Sequence, residues 1–304
     1  MRSQLPLVVL AGTLLAAPAA GQQSQTFRSG TTLVTVNVSV RLKNLPVGGL
    51  RADDFELTDN GVHQQIADVA IEAVPVDVTL ILDTSGSMAR RGDREKSDAR
   101  KIAALLAPGD RYRLLTIDTY VHQVIPLQHA GTLPSLDALT FGGVSSSNDA
   151  LAAALMQRTD VDRRHLIVAM TDGRDNMSAL DVSDVRALAE RSDAVLHVVL
   201  PRARWSGPAK TPTSRYFGTW MPFSRPDVDM LREVARESGG EWHTPGRSTV
   251  EAFTRVYQDF RRSYLLRYTP SGVDVPGWHD IGVNLRQPGG HTVRARKGYD
   301  AERR

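Results

Sequence analysis

The feature that most constrains the fold is a change of pattern near residue 76. From there to residue 262, short apolar runs of strand length alternate with segments of helical periodicity. The run Val78–Leu82 is apolar except for Thr79, which is typical of a strand buried on both faces of a sheet. Strands that alternate with helices predict right-handed crossovers and a mainly parallel sheet with helices on both faces. We therefore expect a doubly wound α/β domain over residues 76–262.

The other segments of this domain follow the same alternation. Further strands are predicted at Tyr112–Ile117, Val121–Ile125, Leu166–Met170 and Val195–Leu200. Helices are predicted around Ala99–Leu106 and at Asp149–Met156, Val182–Arg191, Val228–Glu237 and Glu251–Arg262. Residues 202–226 are rich in Pro, Ser, Arg and aromatic side chains, and we expect a long loop there.

Patterns typical of β-strands flank this domain on both sides. Apolar residues alternate with polar or small ones along Val34–Leu42, and Asn60-Gly61 predicts a tight hairpin turn because both residues tolerate positive φ. Three more short strands are predicted near the C-terminus, at 264–268, 281–285 and 292–296. Three strands alone bury too little apolar surface for a stable core. We therefore expect residues 31–75 and 263–300 to form one discontinuous, antiparallel β-sandwich-like domain that flanks the α/β domain.

The first residues of the chain predict export from the cytoplasm. Arg2 precedes an apolar stretch from Leu5 to Ala17, small residues follow, and residues 1–21 are typical of a cleaved signal peptide. An uncleaved anchor is the alternative, although the stretch is short for a membrane span. The absence of cysteine excludes disulfides, thiolate metal sites and a lipoprotein anchor. We expect a secreted or periplasmic protein with no membrane span after signal cleavage.

Polar side chains gather where predicted buried strands end. Asp83, Ser85 and Ser87 follow the strand at 78–82, and Asp172 follows the strand at 166–170. A third group, Ser145, Ser146 and Ser147, lies in a loop before a predicted helix. In open α/β sheets, ligands bind at the carboxyl ends of the strands. Carboxylates and hydroxyls form an all-oxygen donor set, which predicts a site for Mg²⁺, with Mn²⁺ or Ca²⁺ as alternatives.

Other chemistries fit the sequence less well. The net charge of +3 is spread along the chain and does not argue for a nucleic-acid partner. The eight histidines are scattered without the paired spacing of zinc hydrolases. Asp83 could instead act as a helix cap, with Ser85 and Ser87 as ordinary turn residues. We interpret Ser146, Ser147 and Asn148 as N-capping groups of the following helix rather than as ligands.

The strand-end motifs resemble those of a known family. Asp83-Thr84-Ser85-Gly86-Ser87 is similar to the D-x-S-x-S signature of von Willebrand factor type A (VWA) domains. Thr171-Asp172-Gly173 is similar to the second acidic loop of that family. The resemblance implies that the two serines coordinate the metal directly and the two aspartates largely through water. The middle loop of the family normally supplies a threonine, and here Ser145 occupies that position, with Ser146 as the alternative.

Flanking motifs resemble a bacterial secreted branch of VWA-related proteins. They are Asp54-Phe55-Glu56-Leu57, Asp59-Asn60-Gly61, the segment Tyr264–Pro270, and Arg296-Lys297-Gly298-Tyr299. The resemblance implies an extracytoplasmic, metal-dependent adhesion module whose metal accepts an Asp or Glu carboxylate from a protein partner. No general base is identified near the metal, so we expect no enzymatic activity. A metal-dependent hydrolase at the same site and a structural accessory with a vestigial metal site are the alternatives.

Overall fold

The computed structural model describes residues 33–301, except 44, 72–73, 132–133, 161, 201–212, 217–218, 223–227, 245–247, 274 and 288. The predicted signal peptide at residues 1–21 lies outside the described residues. Residues Thr32–Arg304 form one compact unit. None of the helices in the described part of the chain is long and apolar enough to cross a membrane.

The strands and helices are numbered here in chain order. The strands are β1 (Val34–Leu42), β2 (Leu45–Pro46), β3 (Phe55–Asp59), β4 (Val62–Gln64), β5 (Ile66–Ala70), β6 (Val76–Asp83), β7 (Arg111–Ile117), β8 (Val121–His129), β9 (Arg164–Met170), β10 (Val195–Val199), β11 (Thr213–Tyr216), β12 (Thr219–Pro222), β13 (Trp242–His243), β14 (Tyr264–Tyr268), β15 (Gly277–Leu285), β16 (His291–Arg294) and β17 (Gly298–Ala301). The α-helices are α1 (Gly92–Ala104), α2 (Ser147–Leu155), α3 (Val182–Arg191), α4 (Val228–Glu237) and α5 (Thr249–Arg261).

The central sheet has six strands in the order β13-β10-β9-β6-β7-β8. All neighbouring pairs are parallel except β7 and β8, which form an antiparallel edge. Strand β6 lies in the middle and is buried at all eight positions, as the mainly apolar run Val78–Leu82 predicts. Side chains of α1 and α5 pack on one face of the sheet, and those of α2, α3 and α4 pack on the other. The predicted doubly wound α/β fold is confirmed.

Strands from the two ends of the chain combine in two further sheets that pack on each other. One sheet has the order β16-β1-β14-β5, with β2 paired to β1, and the other has the order β17-β15-β3-β4. The apolar face of β1 packs with Phe55 and Leu57 of the other sheet and with Tyr264, Leu266 and Tyr268 of β14. The predicted antiparallel β-sandwich, built from segments that are distant in sequence, is therefore confirmed at the level of the fold.

The hairpin turn between β3 and β4 forms as the sequence predicts. Asn60 and Gly61 both have positive φ, 46° and 78°, and Asp59 pairs with Val62 across the turn. Two consecutive positive φ values match the right-handed twist of the flanking strands.

Two sequence predictions about β structure are corrected. Residues 202–226 are not one loop, because β11 and β12 within them form a two-stranded antiparallel sheet. A fourth C-terminal strand, β17, pairs with β15 and was not predicted. Each of these three strands has only four residues, which is too short for an alternating pattern to be recognised.

Candidate metal site

The two candidate carboxylates follow neighbouring parallel strands. Leu82 of β6 pairs with Met170 of β9, so the chain leaves both strands at the same edge of the sheet. Asp83 is the last residue of β6, and Thr171 and Asp172 follow β9 directly. The hydroxyl of Thr171 donates a hydrogen bond of 2.7 Å to Oδ2 of Asp83. The parallel register therefore brings together two acidic motifs that lie almost ninety residues apart.

The carboxylate of Asp83 is completely buried. Its Oδ1 accepts a hydrogen bond of 2.9 Å from the backbone N–H of Ser85, which is also what a turn residue at this position would do. Burial and the nearby negative charge of Asp172 together raise the pKa of Asp83 to about 6. Two like charges held together under low solvent exposure are costly unless a cation neutralises them. The arrangement thus fits a bound cation.

The two serines of the D-x-S-x-S motif lie side by side at the rim. Their hydroxyl oxygens are 3.1 Å apart, with Ser85 buried and Ser87 exposed. Gly86 between them donates a backbone hydrogen bond of 3.1 Å to the carbonyl of Gly143. A Cβ atom at Gly86 would also lie only 3.1 Å from that carbonyl oxygen, so the close approach of the two loops favours glycine. The motif is thereby joined to the hydroxyl-bearing loop.

In the loop that carries Ser145, Ser146 and Ser147, the hydroxyl of Ser145 is better placed to bind a cation than that of Ser146. The hydroxyl of Ser146 donates to the carbonyl of Thr119 at 2.8 Å, which directs it away from a ligand role. The hydroxyl of Ser145 lies 2.9 Å from that of Ser147, whose proton goes to the carbonyl of Arg174. Ser145 can therefore donate to Ser147 and keep its lone pairs for a cation. The geometry favours Ser145 of the two predicted candidates.

The interpretation of residues 146–148 as N-capping groups is wrong. Ser146 holds the N-cap position of α2 but makes no side-chain capping bond. The backbone N–H groups of Asn148 and Asp149 instead donate to the side chains of Asp175 and Ser178, at 2.8 and 3.1 Å. Because these caps come from a distant loop, no local spacing in the sequence could reveal them. The loop that follows β9, from Thr171 to Ser178, is consequently hydrogen-bonded to the start of α2.

The acidic loop also carries a residue that the sequence reasoning missed. Asp172 is nearly buried, and its Oδ1 accepts a 3.2 Å hydrogen bond from the backbone N–H of Arg174. The side chain of Arg174 turns back, so that its Nε lies 3.4 Å from Oδ2 of Asp172. One guanidinium therefore accompanies the two carboxylates of the candidate site.

The side chains gathered at this edge of the sheet offer carboxylate and hydroxyl oxygens to a cation. Within the described part of the chain, no three His, Cys, Asp or Glu side chains lie close enough to hold a metal together. A cation at this edge would depend on two carboxylates, on serine hydroxyls and on water. Mg²⁺ accepts such a shell, because it keeps several waters and is usually bound through one or two carboxylates. The residues present fit a hard divalent cation.

Comparisons with known proteins find similar solved structures. No family model and no curated protein matches the sequence. Among solved structures, the chain is similar to a von Willebrand factor type A protein from Catenulispora acidiphila, at 13% identity and a TM-score of 0.47, covering 91% of this chain and 76% of that one. It is similar to the ArnB paralog VWA2 from Sulfolobus acidocaldarius at 11% identity and a TM-score of 0.47, covering 88% and 76%.

A third similar structure is proximal thread matrix protein 1 from the mussel byssus, described with a zinc-occupied MIDAS motif. The identity is 12% and the TM-score 0.49, and the alignment covers 66% of this chain and 49% of that one. These proteins include VWA-domain proteins. Because the three TM-scores lie below 0.5, the fold assignment rests on the strand order and helix placement described above.

Proposed function

We propose that this chain is a metal-dependent protein-binding module. A divalent cation of the Mg²⁺ type binds at the carboxyl ends of β6 and β9, and it accepts an Asp or Glu carboxylate from a protein partner. Asp83, Ser85, Ser87, Ser145 and Asp172 are the residues that would hold the cation. The cation would supply a fixed positive charge and open coordination positions at the rim of the sheet.

The observation that carries this proposal is the placement of two nearly inaccessible carboxylates, Asp83 and Asp172, beside each other where two neighbouring strands end. Asp83 is buried, and it accepts hydrogen bonds from the hydroxyl of Thr171 and from the backbone N–H and side chain of Ser85. Its pKa is raised to about 6 by burial first and by the charge of Asp172 second. A divalent cation would neutralise both carboxylates and so remove the free-energy cost of holding two like charges close together.

The geometry of the rim supports an external carboxylate as the last ligand. Ser87 is exposed beside the buried Ser85, so the hydroxyl edge of the site reaches solvent. A metal held by hydroxyls and water offers exchangeable positions to an anionic oxygen. We propose that one partner carboxylate anchors a larger contact made by the surrounding loops.

We further propose that the module binds without catalysing a reaction and acts outside the cytoplasm. The side chains described at the site are carboxylates, hydroxyls and one guanidinium. The carboxylates are themselves the proposed ligands, which leaves them poorly suited to act as a general base. The extracytoplasmic location rests on the signal-peptide pattern of residues 1–21.

Metal binding is tested by the response of the melting temperature to Mg²⁺. Saturating Mg²⁺ stabilises the folded state by mass action, about 2.7 kcal/mol at a hundredfold excess over Kd. We expect Asp83→Asn to lose this response. The matched control is Asp93→Asn, which removes a nearby but exposed carboxylate and should respond like the parent protein. An Asp83→Asn protein that still responds fully to Mg²⁺ would refute the site.

The partner is sought by capture from an envelope extract, with Mg²⁺ in one arm and a chelator in the other. We expect a protein that is retained by the parent chain in Mg²⁺, lost with chelator, and not retained by Asp83→Asn. Retention that is equal in all arms would show that the metal site does not do the binding and would favour a vestigial site.

A further inference from the structure

A small polar cavity lies where the β-sandwich meets the α/β domain. Its volume is about 30 Å³, which is room for about two water molecules. Arg41 of β1 and Arg294 of β16 line the cavity from the sandwich, and His197 of β10 and His243 of β13 line it from the α/β domain. None of these residues belongs to the candidate metal site.

The two histidines of this cavity contact each other. Nδ1 of His197 lies 2.9 Å from Nε2 of His243, and the rings are stacked at 27° with their centroids 5.2 Å apart. Two ring nitrogens this close need one proton between them, so one nitrogen donates and the other offers its lone pair. When both rings are fully protonated, two N–H groups face each other and the contact cannot be kept.

The histidine contact joins a short edge strand to the rest of the central sheet. Strand β13 has two residues and pairs with β10 at the end of the strand order. The backbone N–H groups of Val198 and Leu200 donate to the carbonyls of Glu241 and His243, each at 2.9 Å. Local separation of so short an element costs less free energy than global unfolding, so a change at the two histidines can shift its pairing.

The charges that act on the two rings are mainly positive. Arg41 acts on both rings, Arg294 on His197, and Arg255 of α5 on His243. The carboxylates that line the cavity are already paired, because Arg41 contacts both Glu241 and Asp259, and Arg294 contacts Glu241 as well. The charged groups further out are Arg236 near Arg294 and Arg262 near Asp259. A positive charge added to either ring is therefore opposed by its surroundings.

Burial and these cations lower the pKa of both histidines. Burial first, then the charges of Arg41 and Arg255, lower the pKa of His243 to about 4. Burial first, then the charges of His243, Arg294 and Arg41, hold the pKa of His197 well below its ordinary value. When β13 separates and the rings enter water, their pKa returns to about 6.5. The separated state then binds more protons, so acid favours it as the pH falls from about 6.5 to about 4.

We infer that the contact between His197 and His243 makes β13 an acid-sensitive edge strand. Near neutral pH the two rings are uncharged and share a hydrogen bond, and β13 stays paired with β10. In acid both rings take up protons, the contact breaks, and β13 separates from β10 and opens the cavity between the β-sandwich and the α/β domain. Each ring shifts this equilibrium by about ten- to thirtyfold between about pH 7.5 and about pH 5.

The experiment measures hydrogen exchange of the Val198 and Leu200 amides in the full chain by NMR, near pH 7.5 and near pH 5. The rates are corrected for the intrinsic dependence of exchange on pH. The test variant is His243→Gln, which removes one of the two titrating rings. The matched control is His63→Gln, which removes an exposed histidine of the sandwich. The amides of Leu80 in β6 and Ile167 in β9 report global unfolding and any opening beside the buried His165.

We expect opening at Val198 and Leu200 of the parent to rise about tenfold or more in acid, while Leu80 and Ile167 stay protected. The rise should be smaller in His243→Gln and the same as in the parent in His63→Gln. Equal opening of the parent at both pH values would overturn the inference. So would a full acid response in His243→Gln, or an equal loss of protection at Leu80 and Ile167.

A ring titration of the parent by NMR decides the matter if His243→Gln does not fold. We expect His197 and His243 to take up protons only well below pH 6.5, over the same range in which Val198 and Leu200 lose protection. Rings that titrate near pH 6.5 while both amides stay protected would show that protonation does not separate β13, and the inference would be wrong.

Discussion

Two completely buried aspartates, Asp59 in the β-sandwich and Asp83 in the α/β domain, have different surroundings and different roles. In the β-sandwich, Oδ2 of Asp59 accepts hydrogen bonds from the hydroxyls of Tyr268 and Tyr299 at 2.7 and 2.9 Å. Its Oδ1 lies 2.7 Å from Nδ1 of His279. In the α/β domain, Asp83 accepts hydrogen bonds from Thr171 and Ser85, and it faces the like charge of Asp172.

The difference lies in whether the fold itself supplies the compensating charge. Asp59 is surrounded by donors that come from three separate strands, so its negative charge is satisfied within the protein. Asp83 sits beside a second carboxylate, which raises its pKa instead of stabilising its charge. A buried carboxylate that faces only hydrogen-bond donors stabilises the structure, whereas one next to a like charge indicates a functional site.

The histidine that faces Asp59 sharpens this contrast. Nε2 of His279 lies 2.6 Å from the carbonyl of Val275, while Nδ1 faces Asp59. Both ring nitrogens therefore face acceptors, which favours the doubly protonated imidazolium form of His279. Burial alone would lower the pKa of His279, but the hydrogen bonds to Val275 and Asp59 outweigh it and raise the pKa above its ordinary value.

The largest expected effect comes from removal of the C-terminal strands. Truncation after Arg262 deletes β14 to β17 and with them all three partners of Asp59. It also uncovers the apolar face of β1, which packs against Tyr264 and Leu266. We expect a truncated chain that aggregates and shows no cooperative unfolding. A soluble 31–262 fragment with a sharp unfolding transition would contradict the continuity of the sandwich across the two ends of the chain.

Replacement of the two aspartates should have unequal consequences for stability. Asp59→Asn weakens an ion pair and hydrogen bonds to two tyrosines, and breaking a buried pair typically costs about 3–5 kcal/mol in the free energy of unfolding. Asp83→Asn relieves repulsion with Asp172 and should change stability little in the presence of a chelator. Urea unfolding of both variants with chelator present measures the difference. Equal losses would remove the distinction between the two carboxylates.

A smaller effect concerns pH. Because the pKa of His279 is raised in the folded state, the folded protein binds the second proton of the His279 ring more tightly than the unfolded chain does. This contribution is complete below the unfolded pKa of about 6.5 and is lost as pH rises through the folded pKa. We therefore expect stability to fall above pH 6.5 more steeply in the parent than in His279→Gln. Parallel curves of stability against pH for the two proteins would contradict this assignment.

The sequence predicts the strands and helices of the α/β domain and of the β-sandwich. It does not predict which side chains contact the buried carboxylates. The apolar run at β6 and the alternation along β1 are local patterns, and so is the Asn60-Gly61 turn. The motifs at Asp83 and Asp172 could be predicted because each lies where an apolar run ends. By contrast, His279 is 220 positions from Asp59, and no local pattern links them. Contacts of this kind depend on register across sheets, which periodicity does not determine.

The same limit explains what the sequence missed around the candidate site. Arg174 is only two residues from Asp172, but spacing alone does not show that its side chain turns back onto that carboxylate. Asp175 and Ser178 cap a helix that begins about thirty residues earlier, and the nearby serines suggested a local cap instead. For the start of α2, a tertiary contact replaced the local option.

The most direct test of the central claim is a crystal of the protein soaked in Mn²⁺ and measured for anomalous scattering. The account predicts one strong peak at the carboxyl ends of β6 and β9, bounded by Asp83, Asp172 and the hydroxyls of Ser85, Ser87 and Ser145. It also predicts no such peak beside Asp59. A map without a peak at the strand ends, or with Mn²⁺ bound elsewhere while Asp83 and Asp172 remain without metal, would contradict the claim that this carboxylate pair is a cation site.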